Sequence, residues 1–272
     1  MSDERVDLAL VARGLARSRS AAQAAVAAGR VRADGATVTR VSQKVRADAV
    51  LEVDRGSGWV GRGAGKLDAA LDAFGVDVRD RTALDLGAST GGFTQVLLER
   101  GARSVVALDV GHDQLAAELV EDPRVIVVEG ENARTLTPER LAELAGSTAP
   151  PQVVVADLSF ISLTLVLPAI AAVADDDADV ILLVKPQFEV GRTKVRGGLV
   201  RDADDRARAV EAVLDTAAAA GLLTAGLIAS PVVGTHGNRE VLAHLHRARG
   251  SDPSEWTGSI ERVVRPLPGE AG

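Results

Sequence analysis

The chain contains no cysteine and no tyrosine, and only one methionine. The absence of cysteine excludes disulfide bonds, cysteine-ligated zinc and a cysteine nucleophile, and is typical of a reducing compartment. The first ten residues lack the charged-then-apolar pattern of a signal peptide, and the apolar runs are too short to span a bilayer. We therefore expect a soluble, cytoplasmic protein that needs neither a membrane nor a metal.

Lysine is also scarce. The chain has 31 basic residues, and only Lys44, Lys66, Lys185 and Lys194 are lysines. A lysine amine can lose its proton when it is buried, whereas arginine stays charged. Lys66 and Lys185 stand on either side of a glycine-rich loop in the sequence, which favours an enzyme over two surface lysines retained by chance.

The basic residues are unevenly distributed. Residues 1–66 carry 12 Lys and Arg against 7 Asp and Glu, although the whole chain has a net charge of −7. A basic segment on an acidic body indicates contact with a polyanion, because neutralised phosphates release counterions. A solvated surface that keeps the protein soluble is the alternative.

The first segment predicts two short helices, a hairpin around Asp34-Gly35 and a strand near Val50–Val53. This pattern resembles the S4 RNA-binding domain over residues 4–54. The resemblance implies that arginines contact phosphates of a structured RNA and read its shape. The candidate RNA-binding residues are Arg5, Arg13, Arg17, Arg19, Arg30 and Arg32.

Beyond Trp59-Val60 the sequence alternates strand and helix, which is typical of a doubly wound, largely parallel α/β sheet. The predicted helices are Gly92–Arg100, Pro138–Leu144, Ser162–Ala174 and Arg201–Ala220. The predicted strands are Thr82–Leu86, Ser104–Asp109, Val125–Val128, Gln152–Asp157, Asp179–Lys185, Thr224–Ala229 and Val241–His246.

The first of these strands leads into the loop Gly87-Ala88-Ser89-Thr90-Gly91-Gly92. Its glycines let the backbone approach a ligand closely, and it has no lysine for a triphosphate. Asp109 ends the next strand, where a carboxylate typically binds ribose hydroxyls. The pattern favours a nucleoside cofactor over a generic α/β turn.

Three further polar residues, Asp157, Lys185 and Glu240, lie next to predicted strands. Ligands bind at the carboxyl edge of parallel sheets, and the first two residues close predicted strands that end there. Each alone is more often part of a structural ion pair. Together on the rim of a cofactor pocket they indicate catalysis.

The sequence as a whole resembles the TlyA family, also labelled haemolysin A, whose catalytic domain is similar to FtsJ-type enzymes. The motifs that match are GRGAGKL at 61–67, DLGASTGGFT at 85–94, ALDVG at 107–111, ADLSFISL at 156–163, VKPQFEVG at 184–191 and GNRE at 237–240. The resemblance implies an S4-like domain at 1–55, a linker at 56–62, a Rossmann-like methyltransferase domain at 63–250 and a tail at 251–272.

The same resemblance implies that the chain transfers methyl groups from S-adenosyl-L-methionine to ribose 2′-hydroxyls of ribosomal RNA, with cytidines as the expected target. The implied catalytic tetrad is Lys66, Asp157, Lys185 and Glu240. The implied cofactor-binding residues are Asp85, Gly87, Ala88, Ser89, Gly91, Gly92, Phe93, Asp109, Asn132 and Asp157.

A 2′-hydroxyl is a weak acid, so we expect neutral Lys185 to accept its proton while Lys66 disfavours a second charge nearby. Asp157 and Glu240 would hold the two amines. Which lysine is deprotonated stays open, because the four groups titrate together. Two other functions also stay open: a ribosome assembly factor that binds RNA without catalysis, and a membrane-active haemolysin.

Overall fold

A computed structural model of the chain describes residues 4–13, 15–16, 19–27, 31–46, 49–53, 58–234 and 237–265. The chain divides into two compact units, Met1–Gly58 and Trp59–Gly272. Part of the predicted linker, residues 56–57, lies outside the described residues.

The first unit combines two helices with short strands. Its elements are β1 (Glu4–Arg5), α1 (Val6–Ala12), α2 (Arg19–Ala27), β2 (Val31–Ala33), β3 (Ala36–Thr37), β4 (Lys44–Val45) and β5 (Leu51–Val53). Strand β2 pairs with β3 and β5, and β1 pairs with β4, all antiparallel. Asp34 and Gly35 form the predicted hairpin turn, both with positive φ, which Asp and Gly tolerate. Buried Leu10, Val26 and Val31 belong to the core beneath it.

The second unit alternates strands and helices. Its strands are β6 (Thr82–Leu86), β7 (Ser104–Asp109), β8 (Val125–Glu129), β9 (Val153–Ala156), β10 (Asp179–Val184), β11 (Leu223–Ala229) and β12 (Val241–His246). Its helices are α3 (Ala64–Phe74), α4 (Gly92–Glu99), α5 (Ala117–Val120), α6 (Pro138–Ala145), α7 (Leu167–Val173), α8 (Pro186–Glu189), α9 (Ala203–Ala219) and α10 (Thr257–Val264).

These strands form one seven-stranded sheet in the order β11-β12-β10-β9-β6-β7-β8. Strands β10, β9, β6, β7 and β8 are parallel, and β12 is antiparallel to both of its neighbours. The prediction of a largely parallel α/β sheet is therefore confirmed. The chain reverses its direction of strand addition between β6 and β9, and ligands bind in such sheets at that switch point.

Both faces of the sheet are buried, because alternate side chains of each strand enter opposite cores. Leu84, Val154 and Leu182 lie in the core that also includes residues of α7 and α9. Val105, Val155 and Ile181 lie in the other core, with residues of α3 and α4. The central strands therefore hold the loops at their carboxyl ends on a rigid support.

Several helices of the second unit were not predicted, among them α3 and α10. The predicted tail after residue 250 contains α10, whose Ile260 and Val264 are buried in the core shared with α9. The predicted helix at Ser162–Ala174 is divided into a 3₁₀ turn, Leu163–Leu165, and α7. Among the described residues, no helix is both long and apolar enough to cross a membrane.

Candidate active site

The sheet brings the four residues of the predicted tetrad to one edge. Asp157 directly follows β9, and Lys185 directly follows β10, the neighbouring parallel strand. Glu240 directly precedes β12, which runs antiparallel to β10 and so begins at the same edge. Lys66 lies in the first turn of α3. Four segments that are far apart in sequence therefore meet beside the strand ends.

The four residues form two ion pairs. Lys66 Nζ lies 2.5 Å from Glu240 Oε2, and the two side chains are only 9% and 3% exposed. Lys185 Nζ lies 2.6 Å from Asp157 Oδ1, with side chains 10% and 22% exposed. Charges this far from water are retained mainly when they are paired. Each lysine thus has a carboxylate partner within the site.

A cavity of about 310 Å³ opens over these pairs. All four tetrad residues line it, together with the glycine-rich loop and a late loop before β12. Its other lining residues are Gly61, Arg62, Gly63, Gly87, Ala88, Ser89, Thr90, Gly92, Phe93, Ser159, Val232, Val233 and Gly234.

A second cavity of about 530 Å³ adjoins the first along the sheet edge. Gly87, Ser89, Asp157 and Ser159 line both cavities, so the two spaces meet at the ends of β6 and β9. The larger cavity is also lined by Leu108, Asp109, Val110, Gln114, Glu131, Asn132, Ala133, Leu158, Phe160, Ile161 and Val166. Its size and its mixture of apolar and polar groups suit a small organic ligand.

The loop after β6 needs glycine at Gly87. This residue has φ +81°, and a Cβ there would lie 3.0 Å from the carbonyl oxygen of Asp157. A side chain would therefore be strained and would push the β6 loop away from the β9 loop. Glycine at this position therefore allows the β6 loop to pack closely against the β9 loop where the two cavities meet.

Asp109 ends β7 at the larger cavity and organises two loops. Its Oδ2 accepts a hydrogen bond from Ser89 N at 2.9 Å, and its Oδ1 accepts one from Gly111 N at 2.7 Å. A carboxylate has further lone pairs, so both oxygens can still accept from ligand hydroxyls. Asn132 lies across the cavity, where its side chain caps the turn at Ala133–Thr135 by accepting from Arg134 N.

Asp85 occupies a different position from the other predicted cofactor residues. It is fully buried, and its Oδ2 accepts a hydrogen bond from Thr94 Oγ1 at 2.6 Å, while Oδ1 has no hydrogen-bond partner among the described residues. Burial and, to a smaller extent, the nearby Asp157 carboxylate raise the pKa of Asp85 to about 7, although the hydrogen bond from Thr94 opposes the shift. Asp85 and Gly91 line neither cavity in the described part of the chain, and Ala88, Gly92 and Phe93 line only the smaller one.

Comparison with known proteins agrees with this geometry. The sequence profile of the FtsJ-like methyltransferases matches residues 59–247, and the profile of the S4 domain matches residues 4–51. The chain belongs to the FtsJ-like methyltransferase family. The resemblance to its TlyA members is confirmed by relatives that match along most of the sequence.

One relative is the 16S/23S rRNA (cytidine-2′-O)-methyltransferase TlyA of Mycobacterium tuberculosis, 52% identical over 244 residues and covering 89% of each chain. Hemolysin A of Brachyspira hyodysenteriae is 37% identical and covers 89% of this chain and 99% of its own. Among solved structures, a candidate hemolysin from Streptococcus thermophilus has a TM-score of 0.74 at 38% identity, covering 97% of this chain and 95% of its own.

Sequence reasoning did not single out several residues of this FtsJ-like site. Ser159 lines both cavities, and its Oγ accepts a hydrogen bond from Lys185 Nζ at 2.8 Å. Phe160 has φ +65° and is 93% exposed beside the larger cavity. Arg62 lines the smaller cavity. Ser159 and Phe160 stand in the matched motif around Asp157, so their positions, though not their contacts, were visible in the sequence.

The first unit, Met1–Gly58, contains the S4 match and is called the S4 unit below. It orients two of its predicted RNA-binding arginines around one buried carboxylate. Asp7 accepts hydrogen bonds from Arg5 Nε at 3.0 Å and from Arg19 Nε at 2.9 Å, and Gln23 Nε2 donates to it at 3.2 Å. The hydrogen bond from Arg5 and those from Arg19 and Gln23 hold the pKa of Asp7 well below its ordinary value, although burial opposes the shift.

The remaining predicted arginines differ in their surroundings. Arg13 donates to the carbonyl oxygens of Ala49 and Arg46, at 2.7 Å and 3.2 Å, and thereby supports the fold. Arg32 is exposed on β2. Arg17 and Arg30 lie outside the described residues. In the described ranges, no cluster of three or more histidine or acidic side chains is arranged to hold a metal ion.

Proposed function

We propose that this protein transfers a methyl group from S-adenosylmethionine to ribose 2′-hydroxyl groups of ribosomal RNA. The observation that carries the proposal is two lysine–carboxylate contacts, one buried and one partly buried, in a cavity that adjoins a nucleoside-sized one. The M. tuberculosis relative is named for methylation of cytidines in 16S and 23S rRNA. Cytidines of either ribosomal subunit are therefore the proposed target.

The larger cavity fits S-adenosylmethionine by the chemistry of its lining. Apolar Leu108, Val110 and Ala133 suit a flat adenine ring, and the Asp109 carboxylate suits ribose hydroxyls. Asp85 lines neither cavity, but its Oδ1 has no hydrogen-bond partner among the described residues and remains the proposed acceptor for a cofactor group at the end of β6. Gly87 and Ser89 of the β6 loop, which line the larger cavity, are proposed to hold the cofactor there, and Ala88 completes the predicted set although it lines only the smaller cavity.

S-Adenosylmethionine, when bound, supplies an electrophilic methyl group. The protein must then place a ribose oxygen in line with it and accept that oxygen's proton, since alignment and proton transfer are the main barriers left. Lys185 Nζ lies in the smaller cavity, next to the residues that both cavities share. We propose that neutral Lys185 accepts the proton, that Lys66 discourages a second positive charge, and that Asp157 and Glu240 hold both amines.

The S4 unit is proposed to bind the RNA. Arg5, Arg19 and Arg32 are among its described arginines with side chains partly or largely open to solvent. Arginine contacts to phosphates position a protein on RNA without reading bases, and the chain's lack of tyrosine makes base stacking by this unit a poor alternative. Arg13, Arg17 and Arg30 complete the proposed set.

The test is transfer of radiolabelled methyl groups from S-adenosylmethionine to purified 30S and 50S subunits, with Lys185→Ala as the paired variant. We expect label in rRNA that survives alkaline hydrolysis within a dinucleotide, because a 2′-O-methyl group blocks cleavage at that linkage. The variant should give none. Measurable cofactor binding without label on either subunit would overturn the proposal and favour a non-catalytic assembly factor.

A further inference from the structure

The Lys185 amine is held by two contacts of different character. Asp157 Oδ1 lies 2.6 Å from Nζ as an ion-pair partner but makes no hydrogen bond among the described residues, whereas Ser159 Oγ accepts a hydrogen bond from Nζ at 2.8 Å. The Phe188 ring lies further away, with its centroid 5.9 Å from Nζ. Charge attraction depends only weakly on direction, whereas a hydrogen bond requires the N–H bond to point at its acceptor. Ser159 is thus the contact that fixes rotation about the Cε–Nζ bond.

A fixed rotation matters because a neutral amine accepts a proton in one direction only. Nζ has three N–H positions when charged. One points at Ser159 Oγ, and the negative charge of Asp157 favours keeping a proton in a second. The third is the position that can become the lone pair. Lys185 and Ser159 both line the smaller cavity, so the lone pair is presented within the space proposed for the ribose.

We propose that Ser159 is a positioning residue for methyl transfer, which directs the Lys185 lone pair at the 2′-hydroxyl. This inference rests on the function proposed above. In the step it serves, Lys185 Nζ takes the proton of the ribose O–H bond as the oxygen gains the methyl group of a sulfonium donor. The sulfur keeps the electron pair of the bond that breaks, and Lys185 later returns the proton to solvent.

The proposal predicts that Ser159→Ala slows methyl transfer without lowering the fraction of Lys185 that is neutral. Ser159 accepts a hydrogen bond from the ammonium form, so its loss should leave the neutral fraction of Lys185 unchanged or larger. A role in tuning protonation would then leave the rate of methyl transfer unchanged or faster. A role in orientation predicts a slower rate, by about 10- to 100-fold, because the base is misdirected.

The experiment uses the full-length protein and three variants. Ser159→Ala removes the acceptor, and Ser159→Thr restores a hydroxyl at the same position. Ser147→Ala is a matched control, because Ser147 is exposed in a loop and its Oγ accepts a hydrogen bond from Ala149 N, away from both cavities. Single-turnover transfer to rRNA gives the rate, and equilibrium dialysis with S-adenosylmethionine gives cofactor affinity.

The protonation of Lys185 is read without any methyl transfer. The proteins are labelled with acetic anhydride, and the four lysines are resolved by mass spectrometry, with exposed Lys44 as the internal reference. The ratio of Lys185 labelling at pH 8 to that at pH 10.5 cancels differences in access. We expect this ratio to be unchanged or higher in Ser159→Ala, with the slower transfer described above and rescue in Ser159→Thr.

Three results would overturn the role of Ser159. They are a Ser159→Ala rate within twofold of wild type, a labelling ratio that falls in proportion to the rate, and a cofactor affinity that weakens as much as the rate. Failure of the wild-type protein to methylate rRNA would instead overturn the proposed function. The two failures are distinguishable, because only the second removes transfer from the unaltered enzyme.

Discussion

Lys66 and Glu240 are 174 positions apart in the sequence, yet Lys66 Nζ donates a hydrogen bond to Glu240 Oε2 at 2.5 Å. The pair joins α3, the first helix of the second or catalytic unit (Trp59–Gly272), to the start of β12, the last strand of the sheet. Both side chains are almost wholly shielded from water. Its geometry requires Gly234, where a Cβ would lie 2.2 Å from Glu240 Oε1. The pair is therefore a structural link as well as a part of the site.

Removing one partner of this pair should destabilise the protein. Glu240→Gln leaves the Lys66 charge buried without a counter-ion, and we expect the free energy of unfolding to fall by about 2 to 4 kcal/mol. The double variant Lys66→Met with Glu240→Gln should recover at least about 1 kcal/mol. Urea unfolding followed by tryptophan fluorescence measures this, since Trp59 and Trp256 both lie in the second unit. A double variant less stable than Glu240→Gln would contradict the prediction.

Gly234→Ala should disable the site through Glu240. The added methyl group would collide with the carboxylate, so we expect at least tenfold slower methyl transfer, as misplacement near a reacting centre commonly causes. Gly258→Ala is the matched control, because a Cβ there has no neighbour within 4 Å among the described residues. Equal rates for the two variants would show that Glu240 adjusts without loss.

Lys185→Arg should abolish methyl transfer and leave cofactor affinity near that of wild type. Arginine keeps the positive charge but does not give up its proton at neutral pH. Transfer is measured with labelled S-adenosylmethionine, and affinity by equilibrium dialysis, with Lys194→Arg as the control because Lys194 pairs with Asp205 away from both cavities. Retained transfer would exclude Lys185 as the proton acceptor.

Deprotonation of Asp85 should lower the free energy of unfolding as the pH rises. Its pKa is about 7 in the folded protein, where burial disfavours the carboxylate, against an ordinary value of 3.8. Between these values the folded state binds more protons than the unfolded chain, so this group lowers the free energy of unfolding as pH rises from about 4 to 7. The loss is at most about 4 kcal/mol.

Asp85→Asn removes this titration. The difference in unfolding free energy between Asp85→Asn and wild type should therefore shift in favour of the variant when the pH is raised from 5 to 8. Urea unfolding at the two pH values measures it, and taking the difference cancels the titration of all other groups. An unchanged difference would mean that Asp85 is ionised throughout.

Asp7 should matter for RNA binding in spite of its negative charge. Asp7→Asn and Asp34→Asn remove the same charge from the S4 unit, but only Asp7 holds Arg5 and Arg19, and Asn suits the positive φ at Asp34. Without the carboxylate the two guanidinium groups lose their orientation. We expect Asp7→Asn to bind 30S subunits about fivefold more weakly than Asp34→Asn in filter binding at equal salt.

Equal affinities of these two variants would show that the arginines need no fixed orientation. Circular dichroism at 222 nm serves as the check on folding, because the helices of the S4 unit pack around Val6, Leu10 and Val26 and would unfold together. A loss of helix in Asp7→Asn alone would assign Asp7 to the stability of this unit instead.

The strands of the catalytic unit could be predicted from the sequence because their apolar, β-branched runs are bounded by turn residues. Helix α3 could not, because its N-cap residue is Gly63, which has no side chain to cap the helix, and because Gly65 lies in its first turn. Helix α10 has weak helix formers, Thr257, Gly258 and Ser259, and is stabilised by burial of Ile260 and Val264. The formation of helices α3 and α10 therefore depends on tertiary packing and not on local sequence signals.

In the candidate site, too, some features could be predicted from the sequence and others depend on tertiary structure. The four residues of the predicted tetrad could be named because rare lysines and strand-end carboxylates stand in matched motifs, and their meeting at one edge then follows from the sheet order. The contact of Ser159 with Lys185 could not be predicted, since it depends on the turn after β9, where Phe160 adopts φ +65°. The burial of Asp7 likewise departs from the rule that helix carboxylates are exposed.

Strand β12 follows every other strand of the seven-stranded sheet in the chain, yet it lies between β10 and β11 in the finished structure. A nascent chain therefore exposes the edge of β10 until β12 has been synthesised. Another 174 residues must also be added after Lys66 before its partner Glu240 is in place. At about 5 to 20 residues per second this interval is on the order of ten seconds or more. The Lys66–Glu240 pair therefore cannot form until most of the chain has been synthesised, and the open edge of β10 is the point at which a chaperone or a wrong strand would compete for the folding chain.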